Sequence, residues 1–168
     1  MTCAYDEIYL DDAMRNLGEA FEYAVCACRL GADEFLQLFA ASGFADGFGS
    51  GSPRLISGLT GTELVMEILA KAGVMSSFPE PQTEYDCSPE YWCGWILAYF
   101  QWKTGRSFRT ISQSLSMKEV LKLYPILHEA SEDKCVDTFN AVIRRKGAGQ
   151  ADAAGRAVVS KHPLTDCP

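Results

Sequence analysis

The stretch SPEYWCGWILAYFQWKTG, Ser88 to Gly105, restricts what this chain can become more than any other. Ser88 offers an oxygen to an unpaired helix-start N–H, and Pro89 has the fixed φ that suits a first helical position. From there Tyr91, Trp92, Trp95, Ile96, Leu97, Tyr99, Phe100 and Trp102 point in nearly every direction around a helical period, and polar residues intervene only at Gln101 and Lys103. A helix that is apolar on all sides belongs in an interior. Gly105 can adopt the left-handed conformation that ends it, well short of the roughly 20 apolar residues a membrane span needs. All three tryptophans of the protein lie here. Burying side chains of this size contributes about 1.5–3 kcal/mol each, so other helices must surround this one.

The remaining sequence supplies those helices. Leu10, Ala13, Leu17, Ala20, Phe21, Ala24 and Cys28 recur at helical spacing between Ile8 and Leu30, with Gly31 as the expected stop. Asp33 and Glu34 suit the positive end of a second helix that carries Phe35, Leu38 and Phe39 before Gly43. Ala45 to Leu59, with DGFGSGSPR at its heart, reads as a surface loop. Thr60 and Glu63 form a capping box for a helix with Leu64, Val65, Ile68 and Leu69, and Gly73 closes it. Met75 to Cys87 reads as extended because of its prolines. After the aromatic helix, Ser107 caps a short helix with Phe108, Ile111 and Leu115. Ser116 and Glu119 open another, which Pro125 should kink or end. Ser131, Glu132 and Asp133 begin a last helix, with Arg144, Arg145 and Lys146 before Gly147. The expectation is an all-α single compact bundle of about seven helices around the central aromatic helix, 88–105. An all-helical domain spans 1–146, and 147–168 forms a low-complexity C-terminal tail, rich in small residues and without an apolar period.

Charge is distributed unevenly. Residues 1–50 hold nine acids and two bases, residues 51–101 six and two, and residues 102–168 seven and eleven, which together give the net −7. An acidic front half disfavours nucleic acid and suits a basic protein surface. No basic start is followed by an apolar run, so the expectation is a cytoplasmic protein with no membrane attachment. Seven cysteines, Cys3, Cys26, Cys28, Cys87, Cys93, Cys135 and Cys167, include no C-x-x-C pair, which fits reduced thiols better than disulfides or zinc.

Catalytic patterns are sparse. GFGSG, Gly47 to Gly51, follows no strand and precedes no G-K-[ST], so it reads as a turn rather than a phosphate loop. His128 and His162 fall in no metal-binding spacing. A thiol at Cys87 or Cys93 beside His128 would form a nucleophile pair, but Cys93 lies inside the aromatic helix and reads as inert core. No catalytic residue, cofactor or metal is implied, and the protein is expected not to be an enzyme. Two surfaces remain. Asp11, Asp12, Glu19, Glu22, Asp33 and Glu34 make an acidic face suited to a basic partner. Lys103, Arg106, Arg109, Lys118 and Lys122 surround the two short helices of Ser107 to Tyr124, in the manner of a helix-turn-helix that contacts phosphate or an acidic partner. The second of those helices has no Arg, Asn or Gln at its start to read bases, which favours ordinary packing.

The strings YLDDAM, DEFLQLF, SPEYWCGWILAYFQW and LYPILHEASEDK resemble a family from gut Firmicutes. In that family an all-helical region precedes a C-terminal helix-turn-helix domain of the phage-repressor (XRE) type. The likeness runs from about Tyr9 to Lys146. From Gly147 onward this chain shows no helix-turn-helix pattern, so the relatives' DNA-binding residues have no counterpart here. The resemblance implies the partner-binding or sensing part of a regulator, at home in mobile elements and toxin–antitoxin neighbourhoods. The expected function is a non-enzymatic protein-binding regulatory module, of antitoxin or repressor-accessory type, whose acidic surface meets a basic toxin or regulator. The alternatives are a mobile-element inhibitor that blocks the basic nucleic-acid channel of a bacterial defence nuclease, as anti-CRISPR proteins do, and a small DNA binder acting through 107–124.

Overall fold

Two helices frame the molecule, α1 (Leu10–Glu22) and α6 (Pro89–Thr104), packed along each other. Their approach is close because Gly94 carries no side chain: a Cβ there would stand 2.2 Å from the Leu17 carbonyl oxygen and 2.9 Å from Phe21 Cβ. Gly61 does the same where the helix of Gly61–Lys71 begins, since a Cβ would lie 2.4 Å from the Asn16 backbone carbonyl oxygen. The computed structural model describes residues 3–81 and 88–159, with side chains as far as Gly149.

The described residues are all-helical, without a strand. A 3-10 turn, Glu7–Tyr9, leads into α1, and a π-helical turn, Tyr23–Ala27, leads out of it. This wider turn carries Tyr23 and Ala24 into the core before the chain reverses. The reversal falls at Arg29, with φ 62°, not at the expected Gly31, whose φ of −71° is extended and which caps the next helix. Helix α2 (Ala32–Ala41) buries Phe35, Leu36 and Phe39.

The Gly-rich segment is not the surface loop its composition suggests. It folds into α3 (Phe44–Gly49) and α4 (Pro53–Ile56), and it buries Ala45, Phe48, Leu55 and Ile56. These apolar side chains provide the driving force, while Gly43 and Gly51 supply the left-handed turns that such short helices need. Helix α5 (Gly61–Lys71) starts at the expected Thr60/Glu63 capping box. Helices α7 (Phe108–Ser114), α8 (Met117–Leu127) and α9 (Glu132–Val159) complete the bundle, so the described residues hold nine helices rather than about seven.

Phenylalanine carries the centre of this core. Phe21 meets Phe35 edge-on at 5.1 Å, Phe39 meets Phe48 at 5.7 Å, and Phe108 joins Phe39 at 4.9 Å, which links α1, α2, α3 and α7. The aromatic helix is central, as expected, with Trp92 and Trp102 buried and Trp95 half-buried at its edge. The Trp102 indole N–H donates to the Tyr5 carbonyl at 2.9 Å, which satisfies its one polar atom.

Two helix ends differ from the sequence expectation. Pro125 lies inside α8, which ends only at Leu127. Proline removes a single N–H so close to the end that the last turn survives, and His128 N still donates to Tyr124 O. Helix α9 runs through Gly147 and Gly149 to Val159 instead of stopping at Gly147. The alanines after Gly147 are strong helix formers, and this offsets the glycines. Residues 160–168 of the expected tail lie outside the described residues, as do the side chains of Val158 and Val159 and the Cys87 end of the extended run.

Candidate functional site

The six carboxylates expected to form one acidic face are placed separately, and most of them meet helix ends. Asp33 Oδ1 accepts from Met117 N at 2.6 Å, while its Oδ2 accepts from Lys118 N at 3.3 Å and from Ser116 Oγ at 2.9 Å. An acid of α2 therefore caps the positive end of α8. Glu34 accepts from Gly31 N at the start of its own helix. Glu22 accepts from Ser88 Oγ at 2.7 Å, where α6 begins, and Glu19 accepts from Thr62 Oγ1 at 3.1 Å, where α5 begins. Asp11 is exposed on α1.

Asp12 and Glu19 come together in a cleft. It has a volume of about 280 Å³ and opens between α1 and the turn that joins α4 to α5. Asp12, Arg15, Asn16 and Glu19 line it from α1, facing Ser57, Leu59 and Thr60. The spacing of Asp12, Asn16 and Glu19 puts them on one side of a helix. Asn16 is 5% exposed and fixes the opposite wall: its Nδ2 donates to the carbonyls of Leu55, Ile56 and Leu59 at 2.7, 3.1 and 3.1 Å. Its Oδ1 is buried and has no donor. Asp12 Oδ2 accepts from Ser57 Oγ at 3.2 Å, and its Oδ1 lies 3.6 Å from the Arg15 guanidinium.

The cleft is therefore an acceptor-rich notch held by short polar anchors, with one mobile-length arginine at its rim. Ser57 donates to a carboxylate, Asp12, at the mouth of this notch. Sequence reasoning placed Asp12 and Glu19 on a functional face but missed Asn16, Ser57 and Thr60. A signal for Asn16 exists: a carboxamide interrupts the apolar stripe between Ala13, Leu17 and Ala20.

The basic set is divided by its contacts. Lys103 pairs with Asp133 at 2.9 Å, and Arg109 donates to the Ala40 carbonyl. Arg106 lies over the Phe100 ring, while Lys118 and Lys122 are exposed on α8. The two short helices exist with the expected Ser107 and Ser116/Glu119 caps. The first turn of α8, however, is packed on α2 through Asp33 and buries Met117 and Val120. A reading helix would need that turn free for a groove.

Cys93 is fully buried, and burial drives its thiol far above the usual range; its Sγ contacts Met117 Sδ at 3.8 Å. Burial also pushes the Cys135 thiol up to about 11. Thiols held protonated in this way are poor nucleophiles. His128 stacks on Tyr124 and its Nδ1 donates to the Tyr124 carbonyl at 2.9 Å, whereas Cys87 and His162 lie outside the described residues. Among the described residues no group of three or more His, Cys, Asp or Glu side chains is placed to hold a metal ion, and no helix is long and apolar enough to cross a membrane. Comparison with family models, with curated proteins and with solved structures finds no match.

Proposed function

We propose that this chain is a non-enzymatic protein-binding module of a regulatory system, of the antitoxin or repressor-accessory kind. It acts by presenting the cleft of Asp12, Asn16 and Glu19 to a basic side chain of its partner. The observation that carries the reading is the convergence of the Asp12 and Glu19 carboxylates in one notch. A lysine or arginine offers only donors, so it complements such a set. The resemblance to the sensing region of phage-repressor-type regulators supports the same class, and the acidic front half favours approach of a basic surface.

Affinity capture from a bacterial lysate with the full chain, run beside Asp12→Lys, tests this. The expected result is a basic toxin or regulator that the unaltered chain retains, that salt elutes, and that Asp12→Lys fails to hold. A nuclease with its guide RNA as the retained species would replace this reading with the inhibitor one. Capture that is indifferent to Asp12→Lys would reject the cleft.

A further inference from the structure

Helices α8 and α9 form an antiparallel hairpin. Near its turn the Cys135 thiol lies 3.7 Å from the Leu127 carbonyl oxygen, and at its open end Lys146 bonds the Glu119 carboxylate and the Ser114 carbonyl. Residues beside Lys146 therefore stand next to the first turns of α8. That register gathers positive charge, since Lys118, Lys122, Arg144 and Arg145 are all exposed at this end. Their side chains enter no ion pair among the described residues. Two acids near them are already engaged, Glu119 by Lys146 and Asp33 by three donors at the start of α8. The exposed acids of the hairpin, Glu129, Asp133 and Asp137, fall toward its turn.

Lys118, Lys122 and Ile126 follow one another at intervals of four, which stacks them along one side of α8, turned away from Met117 and Val120 in the core. Ile126 is 75% exposed, and Pro125 beside it is exposed too. An isolated apolar side chain at a surface is ordinary, but this one ends a row of cations. Together they make a strip that is basic at the open end of the hairpin and apolar further along.

We infer that this strip docks an acidic segment of a partner protein, one whose carboxylates adjoin a large apolar side chain. The carboxylates meet Lys118, Lys122 and Arg145, and an arginine can hold a carboxylate through two parallel bonds. The apolar group covers Ile126. A nucleic acid fits less well, because its phosphates approach a chain of net charge −7 and its backbone sets nothing apolar on Ile126. The strip is separate from the acidic notch of α1 and takes a partner segment of the opposite sign.

Fluorescence anisotropy of labelled probes with the full chain tests this. The probes are a peptide of four glutamates followed by two leucines, the same peptide with serines for the leucines, and a short single-stranded DNA. The expected result is saturable binding of the leucine peptide that weakens with salt, about tenfold weaker binding of the serine peptide, and the weakest binding of DNA. Lys122→Glu combined with Arg145→Glu should abolish binding of both peptides, whereas Ile126→Ser should bring the leucine peptide down to the serine one. All three positions are exposed, and the comparison of probes on the unaltered chain stands without any variant. Equal affinity for the two peptides would overturn the inference, as would tighter binding of DNA, or co-sedimentation with phosphatidylglycerol vesicles in a chain that ignores the peptides.

Discussion

Asn16 shows how much structure one polar side chain can fix. Its Nδ2 closes the turn between α4 and α5 by three carbonyl contacts, and its oxygen is buried beside them. Glu119 is the residue whose charge state matters most visibly to the fold. Hydrogen bonding from Lys146 holds its carboxyl below the ordinary 4.5, and the Ser116 backbone N–H adds to this. A carboxyl lowered in the folded state stabilises above its unfolded value, and that share is lost as pH falls from 4.5 through the lowered value. In Glu119→Gln, urea midpoints should fall at neutral pH and converge with those of the unaltered chain once the pH drops below the lowered value. A constant gap between the two across that range would show that the ion pair with Lys146 contributes nothing.

At the scale of elements, most helix starts were legible because they are written in local chemistry. Ser88–Pro89, Ser107, Ser116/Glu119 and Thr60/Glu63 all cap where their side chains predict. The misread segments are those where distant packing overrides composition. Glycine and serine hid α3 and α4, although Phe48, Leu55 and Ile56 were there to be counted. The six acids were read as one partner-binding face because sequence spacing does not reveal that Asp33 reaches α8. Nothing local to Gly94 shows that the backbone of α1 lies against it. Gly94→Ala should separate α1 from α6 and cost roughly 3 kcal/mol, seen as a lower urea midpoint with an unchanged slope. Asp33→Ala removes the acceptor of two α8 backbone N–H groups and should cost about 1–2 kcal/mol by the same measurement. A loss no larger than that of Asp11→Ala, an exposed acid of α1, would mean that water caps α8 equally well.

For the whole molecule, the separation of charge along the chain becomes a means of assembly. Acids of the front half meet the starts of helices further along the chain, at α5, α6 and α8. What remains outward is the notch of Asp12 and Glu19 on one side, with Lys118 and Lys122 exposed elsewhere. Although α5, α6 and α8 begin with their own caps, the start of each is also bonded by an acid of α1 or α2, Glu19, Glu22 or Asp33. Synthetic peptides covering 60–73 and 107–128 should stay mainly coil in water, and the intact chain should lose near- and far-ultraviolet dichroism in a single coincident transition. A truncation that removes α1 and α2 should leave no residual helical core, so shortening this chain from its front abolishes the fold outright instead of loosening it.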